Sequence, residues 1–142
     1  MYCYKYPHPA VTADCIVFNK EGNKIFILLI QRKNEPYKDC WAFPGGFINM
    51  DESAEDAAIR ELKEETGLEV SEIEQLKAFS NPNRDPRERV ITIAFIAESR
   101  IKDVKGGDDA KDAKWFDISV LPPLAFDHEL ILKEALERIN RG

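Results

Sequence analysis

The chain has 142 residues and a mass of 16.3 kDa, with 44% hydrophobic and 32% charged residues, the size and make-up of one ordinary globular domain. Its longest apolar run, Ile25 to Ile30, is far too short to cross a bilayer, which excludes a spanning helix, and the composition excludes disorder. Twenty Lys and Arg against 26 Asp and Glu leave a net charge of −6, the wrong sign for a face that neutralises nucleic-acid phosphates.

Val11 to Asn19 is apolar-rich, Glu21-Gly22-Asn23 is a turn cluster and Lys24 to Arg32 is rich in Ile and Leu, so the first thirty residues predict a β-hairpin. Ahead of it, Tyr2, Tyr4 and Tyr6 suggest an edge strand or a dimer contact. Glu35 to Gly46 predicts a loop with a short strand near Trp41 to Phe43, and Pro44-Gly45-Gly46 predicts a tight turn. Ala54, Ala57, Ala58 and Leu62 recur at three- and four-residue spacing, which predicts a helix from Ser53 to Thr66 with one buried stripe. Ser53 with Asp56 fits a capping box, and Gly67 fits the left-handed position after the last turn. A strand from Glu69 to Ser80 follows, then the turn-rich NPNRDPRER and a strong β run over Arg89 to Glu98. Gly106 to Asp112 predicts a polar loop, and Ala113 to Phe116 a short strand. Asp127 to Arg141 predicts a terminal helix capped by Asp127, with Leu132, Ala135, Leu136 and Ile139 on the face that packs. The layout is one α/β domain over residues 1–142, a mixed sheet with a helix on each side.

Cys3, Cys15 and Cys40 are an odd number at no metal-like spacing, and MYCYKYPHPAV lacks the charged and apolar regions of a secretory signal. Both point to a reducing compartment, the cytoplasm. His8 and His128 fall near turn or cap positions and are read as surface residues.

The chemistry gathers on the first helix. Glu61, Glu64 and Glu65 share one face, with Arg60 four residues before Glu64. Like charges at this spacing cost about 0.2–0.5 kcal/mol per pair, and a bound cation would reverse the sign. Carboxylates with no nearby His or Cys suit Mg²⁺ or Mn²⁺, and magnesium sites are commonly completed by substrate phosphates. The preceding Gly45 and Gly46 would let backbone approach a ligand.

From Gly46 the sequence runs GFINMDESAEDAAIRELKEETGL: a glycine, five residues, Glu52, seven residues, Arg60-Glu61, Leu62, one residue, Glu64-Glu65, one residue, Gly67 and Leu68. This resembles the Nudix box at every defined position. The order of the flanking elements is also similar to the Nudix α/β/α sandwich with a mixed β-sheet. The resemblance implies hydrolysis of a nucleoside diphosphate linked to another group. By position, Glu61, Glu64, Glu65 and the Gly45 carbonyl resemble the metal ligands, and Arg60 with Glu52 the pair that orients them. Arg60 and the three glutamates are the implied catalytic group. Proton acceptance from the attacking water falls to Glu61 or Glu64, or to Asp108 or Asp109 on a later loop.

Pro82 lies 15 residues after Gly67 and is followed by NRDPR, and LIQRKNEPYKDCWAFPGGF precedes the box. Both resemble bacterial and archaeal ADP-ribose pyrophosphatases, with departures at Cys40 and Glu88, where glycine is common. This similarity implies ADP-ribose as substrate and Pro82, Arg32, Arg84 and Arg87 as contacts to it. The alternatives are a nucleoside triphosphate pyrophosphohydrolase and a non-catalytic nucleotide sensor. Arg89 is a further arginine suited to phosphate or ribose oxygens. Phe79, Phe95 and Trp115 suit adenine stacking or, as alternating strand aromatics, the core. A related regulator family adds a DNA-binding winged helix, which is not expected here because one terminal helix ends the sequence and the charge is negative. The expected partners are a small nucleotide and a second copy in a homodimer, with neither nucleic acid nor membrane.

The acidic charge is concentrated. Asp51 to Glu65 hold seven acids and two bases, a net of −5, leaving −1 for the other 127 residues.

Overall fold

The structure is a computed structural model that describes residues 2–100 and 110–141. Its elements in chain order are β1 (Ala10–Glu21), β2 (Lys24–Arg32), β3 (Trp41–Ala42), β4 (Gly45–Phe47), α1 (Ala54–Thr66), β5 (Glu74–Phe79), β6 (Val90–Glu98), β7 (Ala110–Asp117) and α2 (His128–Arg141). The strands form one mixed sheet in the order β3-β2-β1-β6-β5, with β4 also paired to β1 and β7 to β2. The hairpin is present, with Glu21 opposite Lys24. The β1–β6 pair is parallel and every other strand pair is antiparallel.

β1 is buried continuously from Ala13 to Asn19 because both sheet faces are covered there. The pleat then sorts its side chains by parity. Ala13, Cys15 and Val17 pack with Leu28, Phe95 and the α1 stripe of Ala57, Ala58 and Leu62. Ile16 and Phe18 pack on the other face with Ile27, Leu29, Phe79 and the α2 stripe of Ile131, Leu132, Ala135 and Ile139. Phe79 and Phe95 therefore belong to opposite halves of the core, and Trp115 packs partly buried against the α1 side.

Both signposts of α1 hold. The Ser53 hydroxyl accepts the Asp56 N–H at 3.1 Å, and Gly67 adopts φ 78° with its N–H on the Lys63 carbonyl at 2.8 Å.

Four expectations are corrected. The predicted Glu69–Ser80 strand begins only at Glu74, the chain after Gly67 being loop. β7 begins at Ala110 rather than Ala113, because its pairing with β2 continues past a register shift to Arg32. Gly45–Phe47 is a short strand rather than only a turn, opposite Thr12, Ala13 and Asp14 of β1. Tyr2, Tyr4 and Tyr6 lie outside any strand, with their rings exposed. No helix among the described residues is long and apolar enough to cross a membrane.

Candidate active site

The packing of β4 against β1 and α1 leaves no space for side chains at two positions. A Cβ on Gly45 would run into the Asp14 side chain and the Ala13 carbonyl, and one on Gly46 would meet the Glu61 carboxylate at 2.6–2.8 Å. The glycines thus bring the backbone turn directly against α1, and the Gly45 N–H donates to Glu65 Oε1 at 2.7 Å. Substitution at the two positions is expected to separate stability from activity. Gly45→Ala strikes fixed backbone and costs about 1–3 kcal/mol or more in urea unfolding. Gly46→Ala strikes the end of a flexible side chain, so it costs less stability and displaces Glu61, which a turnover assay reads.

Arg60 is the electrostatic centre of α1. Its Nε and Nη2 grip Glu52 at 2.9 and 2.6 Å, and its Nη1 donates to Glu61 at 2.7 Å and to Glu64 at 3.2 Å. The repulsion among the acids is therefore offset by a side chain of the protein itself, an outcome that charge spacing alone did not reveal. Among the described residues no three acidic, His or Cys side chains converge as a ready-made metal cluster. The donor set is nevertheless all oxygen, which suits a hard divalent cation. Glu64 is 54% exposed and meets Arg60 only at the longer distance, so its carboxylate is free to turn toward such an ion.

Arg60 also sets the Glu52 titration. The hydrogen bonds from Arg60, and next the Asn49 N–H, pull the Glu52 carboxyl from 4.5 down to about 2. Because the folded value lies below the unfolded one, the stabilisation is whole above pH about 4.5 and is lost as pH falls toward about 2. Glu52→Gln is expected to flatten that part of the acid limb in a Tm-versus-pH series.

A cavity of about 530 Å³ opens beside this face, and Gly45, Gly46, Glu61 and Glu65 form one wall of it. Arg32, Arg84, Arg87, Phe47 and Phe126 also line it, as do Asp14 and His128. Arg32 is aimed by a bond from its Nε to the Pro36 carbonyl at 2.7 Å and stacks over Phe126 at 5.0 Å. Burial, then the like charge of Arg87, lowers the Arg32 pKa, and an anion between the two would relieve that repulsion. Arg87 lies over Phe47 and Phe126 at 5.7 and 5.6 Å and is forked onto Asp85. Burial pushes the Asp85 carboxyl up, but the bonds and charge of Arg87 outweigh it and the net shift is down.

The sequence-derived contact residues separate here. Arg32, Arg84 and Arg87 line the cavity, whereas Pro82 is exposed outside its lining and Arg89 donates to the Ser80 carbonyl at 2.7 Å. Arg84 is no surface arginine: its side chain is 4% exposed and its Nε and Nη2 are spent on Asp127 at 3.0 and 2.8 Å. Asp127 precedes α2 and its carbonyl takes the Leu130 and Ile131 N–H groups, but the carboxylate expected to cap the helix is taken by Arg84 instead. His128 is likewise corrected from surface to buried. Phe126 was not found from sequence; it holds φ 51°, a costly conformation for a bulky residue, between Tyr37, Arg32 and Arg87. Asp108 and Asp109 lie outside the described residues.

A NUDIX domain model matches residues 8–138. The chain belongs to the NUDIX family. Within it, the chain is 51% identical over 135 residues to the ADP-ribose pyrophosphatase of Methanocaldococcus jannaschii, covering 95% of this chain and 78% of that protein. It is 34% identical over 140 residues to the ADPR responsive transcriptional repressor NtrR of Acinetobacter baylyi, covering 95% of this chain but only 56% of the repressor. The NUDIX domain of Shewanella oneidensis NrtR, solved as a cocrystal with ADP ribose, superposes with a TM-score of 0.88 at 32% identity, covering 94% of this chain and 90% of that one. The mixed sheet with one helix on each face is thus the NUDIX fold, and the box acids sit where its loop and helix meet.

Proposed function

We propose that this NUDIX protein is a divalent-metal-dependent pyrophosphohydrolase that cleaves ADP-ribose to AMP and ribose 5-phosphate. One observation carries the reading: Glu61 and Glu65 of α1 line the same cavity as Arg32, Arg87, Phe47 and Phe126. That combination suits a diphosphate joined to a base and sugars, which needs carboxylates to hold a cation and cationic and aromatic surface for the rest. The similarity to the Methanocaldococcus enzyme supports the choice of ADP-ribose.

Glu61, Glu64, Glu65 and the Gly45 carbonyl would hold the metal, for which we favour Mg²⁺, with Mn²⁺ as a substitute. When bound, the metal supplies charge neutralisation for the diphosphate and acidifies water. The remaining work is done by the chain. Arg60 keeps Glu61 and Glu64 together on one side of the helix. Arg32 and Arg87 pair with phosphate or ribose oxygens, while Phe126 and Phe47 present apolar faces to the base or sugar. A carboxylate takes the proton of the attacking water as the far phosphate leaves. Glu61, on the cavity wall, and Glu64, beside it, are the described candidates, and the pH profiles of Glu61→Gln and Glu64→Gln distinguish them. The three free cysteines suit a reducing compartment, and we place the enzyme in the cytoplasm.

The similarity to the repressor and to ADP-ribose-bound NrtR supports a second reading, a domain that binds ADP-ribose without turnover. Steady-state kcat/KM with Mg²⁺ over ADP-ribose, NADH, a dinucleotide polyphosphate and dGTP separates the two. ADP-ribose is expected to lead. A wide lead for dGTP or its oxidised form overturns the substrate, and tight ADP-ribose binding with no turnover on any member overturns the enzyme.

A further inference from the structure

His128 is a buried group that takes no part in this chemistry. It is the first residue of α2, it is 3% exposed, and its Nδ1 accepts the Phe43 N–H at 3.1 Å across 85 residues of sequence. An accepting Nδ1 puts the ring proton on Nε2, which faces Asp14 Oδ2 at 3.7 Å, beyond hydrogen-bond reach. Asp14 Oδ2 in turn receives the Thr92 hydroxyl at 2.7 Å. The imidazole is held between Phe43, stacked at 5.0 Å, and Phe126 at 5.7 Å. Burial lowers its pKa, so the accepting form persists at neutral pH.

The bond finishes a short ladder. Trp41 N–H donates to the Pro123 carbonyl at 2.9 Å, and Ala125 N–H donates to the Trp41 carbonyl at 2.8 Å, so residues 123–125 run beside β3. At Asp127 the chain turns into α2, and the side chain of His128 serves Phe43 where main chain no longer can. Phe43 is two residues before Gly45, and the intervening Pro44 has no N–H to anchor. Cys15 N–H on the Pro44 carbonyl at 2.8 Å, Gly45 N–H on Glu65 at 2.7 Å and the pairing of Gly45–Phe47 with β1 hold the rest of the turn. Loss of the acceptor would leave the Phe43 N–H buried and unpaired, a cost the chain relieves by shifting the turn. Any such shift reaches Glu65 directly through Gly45.

We propose that His128 is a positioning residue for the metal site: by holding Phe43 N–H it fixes the Pro44–Gly46 turn and, through Gly45, the Glu65 carboxylate. The proposal rests on the assignment of Gly45 and Glu65 as metal ligands above. His128→Leu deletes the acceptor at similar volume, and His128→Asn returns one through its side-chain oxygen. Phenyllactate incorporated at position 43 replaces the amide by an ester and deletes only the N–H, which keeps the test available if the leucine variant does not fold.

Three readouts on the full chain decide it: Mn²⁺ affinity from the paramagnetic resonance of the free ion, amide exchange at Gly45 without metal, and kcat against KM for ADP-ribose. His128→Leu and the ester are expected to weaken Mn²⁺ about tenfold, to speed Gly45 exchange and to lower kcat with KM within about twofold. His128→Asn is expected to recover Mn²⁺ affinity to within about twofold. Wild-type Mn²⁺ affinity in the ester, or an asparagine variant as impaired as the leucine one, overturns the positioning role alone. Mn²⁺ binding that is unchanged in Glu65→Gln overturns the underlying metal assignment instead.

Discussion

Glu64→Gln is expected to lower kcat for ADP-ribose by about 10²–10⁴-fold, the range for losing a positioned proton acceptor, while the protein stays folded. The two effects separate because Glu64 is 54% exposed and makes its ion pair with Arg60 only at 3.2 Å. An exposed pair of that kind contributes about 0–1 kcal/mol, so Tm should barely move. The amide keeps the shape of the side chain and one oxygen, but it loses the charge that draws a cation and the basicity that accepts a proton. Unchanged turnover in Glu64→Gln would remove this residue from the site.

Arg84→Ala has the opposite signature. Arg84 and Asp127 form a two-point contact with side chains only 4% and 18% exposed. Truncation leaves the Asp127 carboxylate unpaired in a nearly dry position, which costs about 3–5 kcal/mol when one partner of such a pair is removed. Urea unfolding measures this directly. The same bond ties the loop that carries Asp85 and Arg87 to the start of α2, so KM for ADP-ribose should rise along with the loss of stability. Replacing both residues by leucine is expected to recover part of the stability, since the uncompensated charge is then absent. It should not recover KM.

These two residues mark the reach of the sequence. The box acids were legible because fixed identities at fixed spacing need no knowledge of distant partners, although the burial of Glu65 beside an exposed Glu64 could not be read that way. Ser53 and Gly67 were legible for the same reason, as each bonds within its own turn. What escaped was long-range. Arg84 meets a partner 43 residues away and His128 one 85 residues away, and a helix-start histidine carries no local sign of burial. β4 escaped because three residues without side-chain alternation pair with β1 through the close approach that Gly45 permits, while Gly46 gives room to Glu61 of α1. The left-handed Phe126 escaped because its conformation is imposed by tertiary neighbours, with an aromatic ring and two guanidinium groups against it.

The concentration of negative charge on one helix also has a different meaning in three dimensions. Arg60 binds two of its carboxylates, Glu61 and Glu64, together with Glu52 just ahead of the helix, so part of that charge is already balanced within the protein. Product analysis tests the central claim most directly: ADP-ribose is incubated with the wild-type chain, with and without Mg²⁺, and AMP and ribose 5-phosphate are quantified. Equimolar AMP and ribose 5-phosphate that appear only with the metal are the expected result, and ADP-ribose that is bound but returned intact contradicts it.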